Sequence, residues 1–441
     1  MFAYVDMQTQ QSGQALVLSL LLALVGSIAV LASFESGRFV LAKSRLFYAS
    51  DAAAYSAAVV QARGLNTQAY LNRAQLAHQL AMAHLVTMAS SAKMIGAQAQ
   101  QAARRNPPAT LVGAFFGPTF STAYLASKTF AQQDKALLLE MEGAFRQHDQ
   151  LIHGVIAQTR SALIHQLSHE RNQVIEQVLL QNLNADLPHT QRKDNLQTLK
   201  VTYQVDADAL DQAITLQAGS AAVWHQTLKQ VINKFGYLQD RDHLRTNWWF
   251  FLPRCVLPRP VLQRSGRTEI DAKGDWHAHD TQSFHALRFN RFIGCYRREY
   301  PMGWGVVGLT HTAYKLRDTD AAPANFANES YWRWALRQAG KAWDFVMGSD
   351  NRVAISWGRQ QATKWSVQGM PKFAELKQDD KTSLGFRLSV RQEVSGLWLR
   401  SLGVYANSRA ESYFEARQHT PVVVNAVANL FQPVWHARLA K

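Results

Sequence analysis

From Ala15 to Phe34 the chain is apolar or small at every position, with no charge and no proline. About 20 such residues, rising 1.5 Å each in a helix, cross the roughly 30 Å hydrocarbon core of a bilayer. The run therefore predicts a transmembrane helix. Charge returns at Glu35, but no helix breaker follows Gly37, so one continuous helix is expected from Gly13 to Ala58. Beyond it, Ala74, His78, Ala81, Leu85, Met88, Ala92, Ile95 and Ala99 recur at steps of four and three and define one helical face. Pro107 and Pro108 end that helix, and Gly113 to Pro118 makes a turn. A second helical pattern runs from about Ser127 to Leu183, with Met141, Phe145, Ile152, Val155, Leu163, Leu167, Val174 and Val178 as its apolar positions. An antiparallel helical hairpin or small bundle would bury both faces.

The period changes near Leu196. Leu199, Val201, Tyr203 and Val205 alternate with polar residues, as do Val353, Ile355 and Trp357, and Leu384, Phe386, Leu388 and Val390. Alternation of this kind belongs to half-buried antiparallel strands with one wet face. Helical pieces are expected at Gln212–Phe235 and Asn328–Val346, with turns at Lys273-Gly274, Pro301 to Gly305 and Gly348 to Asn351. All twelve tryptophans lie between Trp224 and Trp435, which sets the second half apart from an Ala-, Gln-, Leu- and His-rich first half. The fold class expected is α+β: a transmembrane helix continuing into a helical hairpin or bundle, then an α+β domain with an antiparallel sheet. The divisions expected are a short segment 1–14, the span 15–34, a helical region 35–190, and a Trp-rich domain 191–441.

The N-terminal helix also carries a resemblance. Gly13-Gln14-Ala15-Leu16-Val17, the apolar span, Gly37-Arg38, Ser44-Arg45-Leu46 and Asp51-Ala52-Ala53-Ala54 follow one another in an order and spacing similar to the N-terminal module of TadG-like proteins. Those belong to the Tad (tight adherence, Flp pilus) assembly machinery. The resemblance implies a pseudopilin-like, single-pass inner-membrane protein of an adhesion or secretion system, with its large domain in the periplasm and other pilus-assembly proteins as partners. It covers about a tenth of the chain. Leu18 stands where related pilin-like proteins carry Glu, so processing after Gly13 and entry into a filament are not carried over. No DxSxS metal-adhesion motif is present, so ligand binding through such a site is not carried over either.

Charge bears on orientation and partners. Asp6 precedes the span without any Lys or Arg, while Arg38, Lys43 and Arg45 follow it. Positive charges favour the cytoplasmic side, which read alone would put the C-terminal side inside. Long domains translocate largely regardless of such a bias, and the periplasmic orientation implied by the resemblance is the one expected here. A net charge of +15 suits anionic surroundings, so an anionic surface polymer is a candidate partner beside the bilayer, with no specific nucleic acid expected. Cys255 and Cys295 are the only cysteines, and in an oxidising compartment they could close a loop of about 40 residues, worth roughly 4 kcal/mol.

Candidate chemistry is sparse. Asp275, His277, His279 and Asp280 (DWHAHD), with His285 nearby, form the most enzyme-like cluster, since two His at i and i+2 on a strand share a face and Asp280 could support a divalent ion. A polar strand face is the plainer reading, and neither metal nor cofactor is expected. Aromatic and basic residues interleave at Trp248-Trp249-Phe250-Phe251 with Arg245 and Arg254, and at Tyr331-Trp332-Arg333-Trp334 with Arg337. Such rings could stack on sugars or bases, but core packing is the plainer reading. No GxSxG, HExxH or P-loop pattern occurs. A non-enzymatic role is expected.

Overall fold

The computed structural model describes residues 12–130, 133–185, 187–210, 212–218, 223–246, 260–271, 274–291, 294–308, 351–365, 368–377, 382–396, 401–415 and 428–440. The helices are α1 (Ser12–Ala103), α2 (Ala109–Phe116), α3 (Pro118–Ala126), α4 (Gln133–Gln150), α5 (Ala157–Asn184), α6 (Val223–Ile232) and α7 (Arg352–Gln360). The strands are β1 (Val201–Asp206), β2 (Ile214–Gln217), β3 (His243–Thr246), β4 (Val261–Ile270), β5 (Trp276–Asn290), β6 (Gly294–Val307), β7 (Phe373–Leu376), β8 (Ser383–Val394), β9 (Leu402–Phe414) and β10 (Trp435–Leu439). A long N-terminal apolar helix thus precedes an α+β region built on antiparallel sheets. The chain divides into two units that interleave in sequence: residues 1–69, 162–215 and 376–441 form the first, and 70–161 and 216–375 the second. The compositional boundary near residue 190 does not separate them, because each unit combines a stretch of α1 with strands from far along the chain.

In the first unit the antiparallel sheet has the order β1-β8-β9-β10. Leu384, Phe386, Leu388 and Val390 of β8 are buried, as their alternation predicts. They and Val404, Ala406 and Ala410 of β9 pack on Leu46, Ala49, Ala53, Ala54, Ala57 and Ala58 of α1 and on Ile175 and Leu179 of α5. Alanines at these α1 positions keep the helix surface low, so a flat sheet can cover it. Gly64 serves the same end against α5, where an added Cβ would clash with Leu167.

In the second unit the sheet order is β3-β4-β5-β6, and Phe284, Tyr300, Met302 and Trp304 meet Val112, Phe115 and Phe116 of α2 and Trp357 of α7. The expected hairpin is present here. His78, Asn72 and Gly96 of α1 face His148, Arg160 and Asp134 respectively, so residue numbers fall along one arm as they rise along the other.

Several local expectations give way to packing. Of the α1 face predicted from small and apolar spacing, Ala74, Met88 and Ile95 are exposed and only Ala99 is fully buried. The buried face instead carries Asn72, Gln75, Gln79, Thr87 and Ser90 beside Met82, Ala83 and Val86. These polar side chains satisfy groups of the strand-bearing segments. Asn72 Nδ2 donates to the Ala374 carbonyl at 2.7 Å and Asn72 Oδ1 accepts from Ala374 N at 3.2 Å, while Trp276 Nε1 donates to Gln79 Oε1 at 2.7 Å.

A π turn at Leu151–Ile156 adds a residue to the second arm. Ile152 and Leu167 are buried as expected, whereas Ile156, Ile175 and Leu179 are buried in place of Val155, Val174 and Val178. Val353, Ile355 and Trp357 lie on helix α7, not a strand. Ala354 and Trp357 turn inward, and the Glu299 carboxylate accepts from the backbone N–H groups of Val353 (2.8 Å) and Ala354 (3.0 Å) at its positive end. Pro301 to Gly305 continues β6 and makes no turn. Its glycines are explained by α1: a Cβ at Gly303 would come within 2.7 Å of the Met94 carbonyl oxygen, and one at Gly305 would collide with that of Ser90. The helix expected at Gln212–Phe235 contracts to α6, with Ile214–Gln217 extended. Asn328–Val346 and Gly348 to Asp350 lie outside the described residues.

Candidate functional site

The first unit places the N-terminal motif along α1. Residues 15–34 are exposed without exception, and coverage by the folded body begins at Glu35. Gly13 and Gln14 lie in the first turn of the helix. Gly37 faces open space. Arg38 lies 3.6 Å from Glu35 and reaches within 3.5 Å of the Ser395 carbonyl oxygen, beside the end of β8. Arg45 is exposed and Ala52 half-buried, while Leu46 and Ala53 are fully buried in the sheet-facing core. Asp51 Oδ1 accepts from the Ser408 hydroxyl at 2.7 Å, and Ser50 Oγ lies 2.8 Å from Ser408 Oγ. The motif thus divides by role: Leu46, Asp51 and Ala53 fix α1 to the sheet, and Gly37, Arg38 and Arg45 lie toward solvent.

Behind this seam, fully buried Arg171 of α5 forms a bidentate pair with Asp208, with Nη1–Oδ1 at 2.8 Å and Nη2–Oδ2 at 2.6 Å, and stands 5.1 Å from the Phe386 ring centre. On the sheet's outer face, Arg387 and Arg409 are directly opposed across β8 and β9. With Asn407 and Ala440 they line an open depression of about 370 Å³. Like charges opposed in this way repel, and neither arginine has an ion-pair partner among the described residues.

The DWHAHD cluster lies in the second unit. His277 and His279 share a face of β5, where His277 Nε2 is 3.3 Å from Glu269 Oε2. Asp280 points the other way and is fully buried. It accepts from the Ser90 hydroxyl, from Ser91 at 3.1 Å and from Arg241 at 3.1 Å, with Arg264 at 3.6 Å. It is thereby committed to tying β5 to α1. His285 is also buried, its Nε2 3.0 Å from Asn351 Oδ1, in a network where Asn351 Nδ2 donates to the Gln263 carbonyl at 2.9 Å. Among the described residues no group of three His, Cys, Asp or Glu side chains is placed to hold a metal ion. Cys255 lies outside the described residues; Cys295 falls opposite Phe289 on β6, its side chain likewise undescribed. Trp248 to Phe251, Arg254, Tyr331 to Trp334 and Arg337 are outside them too.

Sequence reading missed a second histidine pair. His78 Nδ1 and His148 Nδ1 are 2.8 Å apart, joining α1 to α4, so one ring must donate and the other accept. Burial first, and then the neighbouring His148, hold the His78 imidazole below its ordinary 6.5. Burial also lowers His225, aided by Lys229, and His279, where Asp280 opposes the effect. In each case the unfolded chain binds the proton more readily. Their contribution to stability is therefore present above pH 6.5 and is lost as pH falls through that value. The melting temperature is expected to drop between about pH 7.5 and 5.5, and His78→Gln with His279→Gln to flatten the drop. Scanning calorimetry across that window checks it; a melting temperature that rises on acidification would contradict it.

No family model, curated protein or solved structure matches this chain.

Proposed function

We propose that this chain is a single-pass inner-membrane protein with its folded units in the periplasm. It serves as a structural or assembly component of a Tad/Flp-type pilus, through protein contacts and without catalysis. One observation carries the reading. The same helix is wholly exposed over the apolar residues 15–34 and becomes the buried core of a folded unit from Leu46 onward. An exposed run of twenty residues, apolar but for three serines and a glycine, suits a lipid environment and would be a severe aggregation liability in water. The order of Gly13, Gly37-Arg38, Arg45-Leu46 and Asp51-Ala52-Ala53, similar to TadG-like proteins, supports the pilus role. An anionic surface polymer as an additional partner is favoured by the opposed Arg387 and Arg409.

Removal of the gene from its host, followed by electron microscopy and a surface-adherence assay, tests the role. Loss of appendages and adherence is expected, and the chain carrying His277→Ala and His279→Ala should restore both as fully as the unaltered one. Unchanged appendages after removal would sink the pilus reading. Failure of only the histidine variant, in correctly folded protein, would point to chemistry at β5.

A further inference from the structure

The arginines of the first unit's sheet lie on its exposed face, and their pairings differ. Arg391 of β8 has Glu393 at 3.4 Å, and Arg438 of β10 has Glu411. Arg387 and Arg409 are opposed to each other across β8 and β9. The Arg409 carbonyl oxygen accepts from Ala440 N at 2.9 Å, so the backbone groups of Arg409 turn toward β10 and away from β8. The two arginines therefore form the closely spaced kind of pair, without mutual backbone bonds and with Cα atoms about 4.5 Å apart. Asp206 of β1 stands across from Arg387 on its other side, but Asp206 Oδ1 accepts from Gln204 Nε2 at 2.6 Å. Among the described residues no carboxylate pairs with Arg387 or Arg409. Two guanidinium groups rooted so close repel. An oxyanion between them removes the repulsion, since each fork offers parallel N–H donors to a carboxylate or phosphate.

The neighbours on this face suit a hydroxylated ligand. Alternate residues of β9 share it, so Tyr405, Asn407 and Arg409 follow one another along one side of the strand. Asn407 lines the depression of about 370 Å³ with the two arginines, and its exposed amide can both donate to and accept from a hydroxyl group. Tyr405 is 58% exposed, with the Arg391 guanidinium 5.6 Å from its ring centre. An exposed tyrosine offers an apolar ring face and a polar tip, which match the C–H face and the hydroxyl groups of a sugar. Tyr405 is four residues from Arg409, about 14 Å at strand spacing, a distance that a few linked sugars span. The depression is open, so a polymer can lie across the face, where a closed pocket would take one small molecule.

We infer that this face binds an acidic polysaccharide, a chain containing uronic acid sugars. The carboxylate of one sugar bridges Arg387 and Arg409, Asn407 meets hydroxyl groups beside it, and the Tyr405 ring stacks on a sugar further along the chain. The inference narrows the anionic-polymer partner proposed above and rests on that reading of the arginine pair. A polyanion without sugar rings would use the arginines and leave Tyr405 idle, which gives the two readings different signatures.

Full-length protein in a non-ionic polyoxyethylene detergent is titrated calorimetrically with oligogalacturonate, with its methyl ester and with polyphosphate of similar charge. Oligogalacturonate should bind most tightly, and the ester, which has lost its carboxylates, should not bind. Arg387→Gln and Arg409→Gln should each weaken oligogalacturonate binding by about tenfold or more. Tyr405→Ala should weaken it as well and leave polyphosphate binding unchanged. Removing the same kind of charge from the exposed Arg104 and Arg105 of the other unit, by Arg104→Gln with Arg105→Gln, should matter little. Each single variant at 387 or 409 should melt no lower than the unaltered protein, because one of two opposed like charges is gone, so a loss of binding is not a loss of fold. Equal binding of oligogalacturonate and polyphosphate, lost in the arginine variants and indifferent to Tyr405→Ala, would overturn the polysaccharide and leave the anionic-polymer reading standing. Binding of neither, or binding untouched by Arg387→Gln and Arg409→Gln, would overturn both.

Discussion

Leu22→Arg is expected to remove the protein from the membrane and, with it, surface adherence. Leu22 is near the centre of the apolar run and 62% exposed, so within the molecule it touches little. A charge at the middle of a membrane helix costs about 2.5–3.5 kcal/mol on insertion scales, enough to lower the equilibrium constant for insertion by roughly a hundredfold. The folded units should be unaffected, since no part of the first unit's core uses this residue. Fractionation with alkaline carbonate extraction checks the first part and circular dichroism the second. A variant that stays in the membrane pellet and still supports adherence would show that the run does not act as a span.

Asp208→Ala is expected to destabilise the first unit strongly. It leaves Arg171, 1% exposed, without its carboxylate partner between α5 and the sheet. Removing one member of a buried pair typically costs about 3–5 kcal/mol, because the surviving charge stays desolvated. For a unit of this size that corresponds to roughly 10 °C in melting temperature. The double variant Asp208→Ala with Arg171→Met should recover much of the loss, since an apolar side chain of similar length leaves no buried charge behind. Thermal denaturation of the three proteins measures both. A single variant that melts with the unaltered protein, or a double variant worse than the single, would show that the pair is not the constraint described.

Legibility in the sequence followed the range of the interactions involved. The helix through Ala58, the stop at Pro107-Pro108 and the alternation of Leu384 to Val390 depend on neighbours a few residues away, and each appears where its pattern places it. Asn72, Gln75 and Gln79 defeated the apolar-face reading because their amides hydrogen-bond to segments some 200 or more residues distant. Val353 to Trp357 is too short for alternation to be told from helical spacing, and the Glu299 cap that decides for a helix lies more than 50 residues upstream. The glycines of Gly303-Trp304-Gly305 read as a turn when they in fact mark where α1 lies against β6. Of the candidate site, Leu46, Asp51 and Ala53 were visible as a motif. The Arg171–Asp208 pair and the opposed Arg387 and Arg409 depend on tertiary placement and left no local signal.

The side of the membrane on which the folded units lie separates the resemblance from the charge bias of Arg38, Lys43 and Arg45. Alkaline phosphatase fused after residue 441 in living cells reads it directly, because the enzyme is active only when exported. The expected result is high phosphatase activity, with a fluorescent protein at the same position dark. An inactive phosphatase with a bright fluorescent fusion would put both units in the cytoplasm and contradict the periplasmic pilus role.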